Sequence, residues 1–134
     1  RVRAIVEEAG FTRLLGLRLQ HVEPGRCITR LDSRTDLQQQ DGFLHAGVQA
    51  SVADHTGGSA AYSLIAADEL VLTVEFKINL LRPALGTHFV CEADVIRAGS
   101  RIVVSDAAVY SVDEERRRMC AKAIVTLART PAAG

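Results

Sequence analysis

His45-Ala46-Gly47-Val48-Gln49-Ala50-Ser51-Val52-Ala53-Asp54-His55-Thr56-Gly57-Gly58, running on through Ser59-Ala60-Ala61-Tyr62 to Ala67, is small or apolar almost throughout and contains no proline. It is longer than a typical strand. It reads as one helix of about 20 residues, apolar nearly all round and so buried on most faces. Gly57 and Gly58 inside it each cost roughly 1 kcal/mol relative to Ala. That cost predicts close packing, with other backbone lying almost against the helix. Gly47, Ala50, Ser51, Asp54, Gly58 and Ala61 recur at three- and four-residue steps, which makes one narrow stripe of small side chains.

Strands follow this helix. Leu70 to Arg82 alternates, with Leu72, Val74, Phe76, Ile78 and Leu80 on one face and Thr73, Glu75, Lys77 and Asn79 on the other. Pro83 and Gly86 break the pattern. Further strands are predicted over Thr87–Arg97, Arg101–Val112 and Arg117–Ala128. Ala98-Gly99-Ser100 and Asp113-Glu114-Glu115 form the turns between them, and Thr130 to Gly134 is a frayed tail. Upstream, Val2 to Ala9 has helical spacing that Gly10 can end. Residues 15–33 read as a hairpin turning at Glu23-Pro24-Gly25. The order is helix, two strands, long helix, four strands. A long apolar helix needs a curved antiparallel sheet to cover it, which predicts an α+β fold.

The chain has 134 residues, which predicts a single domain over 1–134. Sixteen basic side chains balance sixteen acidic ones, so the basic excess of a nucleic-acid binder is missing. No apolar run reaches the roughly 20 residues of a membrane span. The start, Arg1-Val2-Arg3-Ala4-Ile5, lacks the apolar core of a signal peptide and lacks Met, so further residues are expected before it. Cys27, Cys91 and Cys120 are odd in number and far apart. They read as small buried hydrophobes in a reducing cytoplasm, not as a zinc or disulfide framework. A neutral, aromatic-poor surface at this size hints at self-association.

Polar chemistry concentrates in Gln39-Gln40-Asp41-Gly42-Phe43-Leu44-His45-Ala46-Gly47, followed by Asp54. First-turn amides of a helix lack intrahelical partners and carry partial positive charge. A polarised carbonyl or developing oxyanion is stabilised there. Asp54, two turns on, sits among Ala50, Ser51, Val52, Ala53 and Gly57. A carboxylate in such surroundings is paired, ligated or kept for reaction. A structural Asp bonded to a neighbouring strand is the plainer alternative. His45 alone reads best as a cap or a packed hydrogen-bonding residue. His55 points about 100° away around the helix and need not share the site. His45, Asp54, His55 and Glu75 match no metal spacing. Ser51 and Ser59 lack the strand-turn elbow of a nucleophilic serine.

Gln39-x-x-Gly42-x-x-His45-Ala46-Gly47, with Asp54 downstream, resembles the hotdog-fold acyl-CoA thioesterases of the phenylacetate-pathway type. Thr73-Val74-Glu75-Phe76-Lys77-Ile78-Asn79-Leu80-Leu81-Arg82-Pro83-Ala84, Arg97-Ala98-Gly99-Ser100-Arg101 and Ala121-Lys122-Ala123 extend the resemblance over about residues 10–129. It implies a hotdog fold, a long central helix wrapped by a curved antiparallel sheet. It implies hydrolysis of an acyl-CoA thioester to coenzyme A and a carboxylic acid, with no metal or redox cofactor. Asp54 matches the catalytic general base or nucleophile. The amide of Ala46, helped by Gly47, matches the donor that polarises the carbonyl. Gln39 matches an Asn that orients substrate or water, and Thr73 a Ser/Thr that holds the water. His45 falls among the substrate-side residues, its position matching a structural His. Arg82, Arg97, Gly99 and Arg101 lie where relatives contact coenzyme A. The resemblance also implies an active site formed between two subunits, a homodimer as the minimal unit and a dimer of dimers as a common larger form.

Two departures stand out: Ala46 where the family usually has Gly, and Gln39 where it usually has Asn. Drift of this kind fits a second reading, a non-catalytic hotdog module binding acyl-CoA or a protein partner. A hotdog dehydratase or hydratase is a third, for which His45 is poorly placed. Arg116-Arg117-Arg118 reads as a solvated hairpin, with a coenzyme A phosphate contact as the sharper alternative. Phe43, Leu44, Val48 and Tyr62 are candidates to line the acyl pocket.

Overall fold

Residues 1–114 and 116–133 are described by a computed structural model. The elements run α1 (Val2–Glu7), α2 (Gly10–Leu15), β1 (Arg18–Glu23), β2 (Arg26–Asp32), a 3-10 turn (Thr35–Leu37), α3 (Ala46–Tyr62), β3 (Glu69–Leu80), β4 (His88–Ala98), β5 (Ile102–Asp113) and β6 (Arg116–Pro131). The six strands form one sheet in the order β1-β2-β4-β5-β6-β3, and every pairing is antiparallel. The sheet curves around α3, giving the α+β hotdog architecture.

α3 touches β2, β3, β4, β5 and β6. Val52, Ala53, Thr56, Gly57, Ser59, Ala60 and Ala61 are buried on it. The Gly57 position is tight because a Cβ there would lie 3.1 Å from Val125 Cγ2 and 3.5 Å from Ser105 Cβ. The close neighbours are therefore sheet side chains rather than the backbone anticipated above. Polar pins fix the helix on the sheet. The hydroxyls of Thr29 and Thr56 are 2.7 Å apart, and Ser105 Oγ donates to Gly57 O at 2.9 Å.

The boundaries differ from expectation in several places. Gly10 opens a second helix instead of ending the first. The true stop is Gly16, whose left-handed φ of 80° lets its N–H cap α2 through Thr12 O. α3 closes at Tyr62, five residues short of Ala67, where Ser63 Oγ turns back to Ala60 O at 2.6 Å. At the far end, Leu70 pairs with Thr130 and Glu69 with Pro131, so the expected frayed tail is in the sheet as far as Pro131. Glu115 of the β5–β6 turn and Gly134 lie outside the described residues.

The most consequential difference is in β3. Its register against β6 slips between Thr73 and Glu75, leaving Val74 as a bulge. Thr73 pairs with Leu127 and Phe76 with Val125, both on the face toward α3. Leu72 pairs with Ala128 on the other face. The strand thus changes phase midway, and the predicted single apolar face from Leu72 to Leu80 is split. β3 is also an edge strand, with Leu72 and Val74 each 59% exposed.

Candidate active site

The bulge brings Thr73 to Asp54. Thr73 Oγ1 donates to Asp54 Oδ1 at 2.7 Å. Without the extra residue, Phe76 and Thr73 would point to opposite faces. Asp54 is half-buried, and its second oxygen accepts no hydrogen bond among the described residues. The pair opens into a cleft of about 230 Å³ lined also by Ile5, His55, Gly58, Tyr62 and Leu127. His55 does reach this cleft, although its Nε2 is tied to Ile5 O at 2.8 Å. Tyr62, one of the candidate acyl-pocket residues, comes from the end of α3; Ile5 comes from α1, and no sequence pattern around Asp54 points to it.

The helix start forms the other half. His45 is the N-cap of α3, and its Nδ1 accepts from Gly47 N–H at 2.8 Å. The Gly47 amide is thereby occupied and is not an open donor. The His45 amide goes to Leu37 O at 3.0 Å. Among the described residues, Ala46 N–H has no acceptor, so it is the open donor at this end of the helix.

Ala46 faces a cleft of about 380 Å³ shared with Gln39, Phe43, Gln49, Leu80 and Arg82. Gln39 lies there but turns its carboxamide into its own loop. Its Oε1 accepts from the amides of Asp41 and Phe43, and its Nε2 donates to Asp41 Oδ2 at 3.3 Å. Gly42, with φ 85°, lets that loop fold back. The sequence reading missed Gln49. This side chain is 4% exposed, donates to Leu44 O at 3.3 Å, and leaves its Oε1 buried without a partner among the described residues. The signal was a long polar residue among small ones, one turn past the cap.

The Ala46 cleft and the Asp54 cleft share no lining residue. Asp54 follows Ala46 by eight residues, about 12 Å along a helix. The candidate acyl-pocket residues divide in the same way. Phe43 and the buried Leu44 line the Ala46 cleft, Tyr62 lines the Asp54 cleft, and Val48 lines another of about 460 Å³ with Phe11 and Leu14.

The arginines divide into two groups. Arg97, Gly99 and Arg101 surround an opening of about 300 Å³ at the β4–β5 turn. Arg82 lies elsewhere, in a cleft with Phe43, Arg116 and Arg118. The cysteines are buried and free. Burial pushes the thiols of Cys27 and Cys91 up to about 12 and that of Cys120 to about 11, far above what a thiolate nucleophile needs. Among the described residues no helix is long and apolar enough to cross a membrane.

Comparison with known proteins identifies the family. The family model described as the thioesterase superfamily matches residues 41–117, which include the helix start, Asp54 and Thr73. A crystal structure of a thioesterase family protein from Silicibacter pomeroyi is similar at 36% identity and a TM-score of 0.95, covering 98% of this chain and 96% of that one. Among curated relatives, a 1,4-dihydroxy-2-naphthoyl-CoA hydrolase of Listeria monocytogenes is 26% identical over 83% of this chain and 89% of its own length. A medium/long-chain acyl-CoA thioesterase, YigI of Salmonella typhimurium, is 25% identical over 78% of this chain and 77% of its own. With the motif-bearing half of the chain inside the family match and the whole fold superposing on a solved member, this chain belongs to the thioesterase superfamily.

Proposed function

We propose that the protein hydrolyses an acyl-CoA thioester to coenzyme A and a carboxylic acid, in the manner of the phenylacetate-pathway type, at a site shared by two copies of the chain. The observation that carries this reading is the Thr73–Asp54 hydrogen bond of 2.7 Å. One carboxylate oxygen is held while the other is open to a water or a substrate carbon. In the general-base route, Asp54 takes a proton from water and the hydroxide adds to the thioester carbonyl carbon. The new oxyanion is met by the open Ala46 amide at the positive end of α3. Collapse breaks the C–S bond, and the thiolate of coenzyme A leaves with the proton held by Asp54. In the nucleophilic route the carboxylate adds to the carbonyl, the C–S bond breaks as the thiolate of coenzyme A leaves, and water then cleaves the mixed anhydride to release the acid and return Asp54. Thr73 orients Asp54 in either case, and its lone pairs remain available to a water.

The separation of the two clefts supports a shared site. A single chain keeps its open amide and its carboxylate in different openings. The unpaired edge of β3, with Leu72 and Val74 exposed, supports association of two copies, because such an edge left in water is an aggregation liability. The two relatives are named for a naphthoyl and for medium/long-chain acyl groups, so aryl, medium and long chains all belong in the screen.

The test is hydrolysis across short, medium, long and aryl acyl-CoAs, with Asp54→Ala in parallel. Turnover by the unaltered protein on at least one class, and its loss in a variant that still folds, is the expected result. Full activity in Asp54→Ala overturns the assignment. Coenzyme A binding without hydrolysis of any thioester favours the non-catalytic module.

A further inference from the structure

We infer that the cleft between the β5–β6 hairpin and the segment after β3 binds the phosphorylated end of coenzyme A, with Arg116 and Arg118 as the residues that select a CoA-borne substrate. The inference rests on the acyl-CoA reading above and extends it to Arg116 and Arg118, which are not among the motif residues that carry the resemblance.

Strand alternation separates the three consecutive arginines. Arg116 stands opposite Asp113 and Arg118 opposite Ser111, and all four line one cleft of about 370 Å³ with Arg82, Phe43 and Leu85. Arg117 points to the other face, where it pairs with Glu92 and stacks 3.8 Å over the Tyr110 ring. The chain spends many of its arginines on carboxylates: Arg18, Arg26, Arg34 and Arg129 as well as Arg117. Among the described residues, Arg82, Arg116 and Arg118 reach no carboxylate within 4.0 Å. Among the described residues that line this opening, three guanidinium groups face one carboxylate, that of Asp113. A phosphate ester fits this opening, because guanidinium groups bind phosphate oxygens in bidentate pairs.

The cleft is also in the right place. It shares Phe43, Arg82 and Pro83 with the Ala46 cleft. Leu44 N–H donating to Ala84 O at 2.9 Å ties the two walls together. A thioester carbonyl at the Ala46 amide therefore has a continuous path for its pantetheine arm to the arginines. The opening at Arg97 and Arg101 shares no lining residue with the Ala46 cleft. Because the chain has no net charge, attraction for an anionic substrate must arise in a local patch of this kind.

The test is a calorimetric titration with coenzyme A and with pantetheine, which lacks the nucleotide, on the unaltered protein, Arg116→Ala/Arg118→Ala, Arg117→Ala and Arg97→Ala/Arg101→Ala. It is paired with kcat/KM on an acyl-CoA and on the same acyl group carried by N-acetylcysteamine. The expected result is a loss of at least about tenfold in coenzyme A affinity and in kcat/KM on acyl-CoA for Arg116→Ala/Arg118→Ala. Arg117→Ala keeps full affinity, and the phosphate-free thioester is turned over equally by all variants. Unchanged coenzyme A affinity in Arg116→Ala/Arg118→Ala overturns the inference. So does an equal loss on the phosphate-free thioester, a loss confined to Arg97→Ala/Arg101→Ala, or no binding of coenzyme A to the unaltered protein. If no thioester is hydrolysed, the hydrolytic reading fails by itself, and the coenzyme A titration still decides the cleft.

Discussion

The two ends of the candidate site lie on the same helix and are built differently. At the start of α3 the polar groups satisfy one another at short range: His45 caps Gly47, and Gln39 bonds its own loop. Among the described residues, the donor that remains open there is one amide, Ala46 N–H, fixed by the backbone itself. At Asp54 the functional group is a side chain, and it is steadied by a residue 19 positions away on another element. The first half is rigid for local reasons. The second depends on how β3 packs and on the bulge that aims Thr73. The contrast teaches that a donor can be supplied by secondary structure alone, whereas a positioned carboxylate needs the tertiary fold.

The largest effect comes from disabling each half separately and then mixing the products. Asp54→Ala removes the carboxylate. Ala46→Pro removes the amide hydrogen at the first helical position, where proline is tolerated and where His45, at φ −59° and ψ 138°, already has the extended conformation proline requires before it. Ala46→Pro should cost about 10²–10³ in kcat, the usual loss for one oxyanion donor. Asp54→Ala should cost about 10²–10⁴. If the halves meet across two chains, unfolding and refolding the two variants together restores activity. Random re-pairing makes half of the dimers mixed, and each mixed dimer keeps one intact site, so about a quarter of full turnover returns. No restoration, with mixed dimers demonstrated by mass spectrometry, places both groups in a single-chain site.

The bond across the bulge comes next. Thr73→Val keeps the shape and removes the hydroxyl, and should lower kcat about tenfold with KM nearly unchanged, since a bond to a charged group is lost at a solvent-reached position. Thr73→Ser should recover most of that loss. A Thr73→Val enzyme with full kcat makes the Asp54 half independent of β3 and removes the contrast drawn above.

This half was also the less legible one. The helix, the succession of elements along the chain and the small-residue stripe containing Asp54 follow from apolar spacing, which survives folding because it is what the sheet covers. The bulge left no such trace. Leu72, Val74 and Phe76 are all apolar, so the unbroken alternation gave no sign that the phase changes between them. Edge strands tolerate this because one side of their ladder is unpaired. The helix start was easier, since Gly42, His45 and Gly47 are locally determined. The cap reading of His45 matches its Nδ1 bond to Gly47, but that this bond withdraws the Gly47 amide from the site is a side-chain orientation that residue types do not reveal. Gly10 misled for a simpler reason, a glycine at a helix end being read as a stop when the chain restarts at once.

His45→Ala tests the helix start as structure rather than chemistry. Loss of an N-cap should cost about 0.5–2 kcal/mol, seen as a lower Tm, with kcat little changed because Ala46 N–H is untouched. A large fall in kcat at unchanged Tm assigns His45 to the substrate instead.

The smallest effect is expected at the outer end of β3. The Glu69 carboxylate accepts from Arg129 at 2.7 Å and from Ala66 N–H at 2.9 Å, and these bonds, Arg129 first, hold it below its ordinary value of 4.5. Because the folded value is the lower one, the contribution to stability is complete above the ordinary glutamate range and is lost as the pH falls through the depressed folded value. Glu69→Gln should therefore lower Tm slightly at pH 7, and the two melting curves should converge in acid. Exposure limits the size of the effect. The informative readout is the kcat of Glu69→Gln at pH 7. If loosening this end of β3 lowers kcat by as much as Thr73→Val does, the strand holds Asp54 as a unit. If kcat is unchanged, the bulge and its one hydrogen bond are sufficient, and the dependence of the Asp54 half on tertiary packing narrows to the few residues around Thr73.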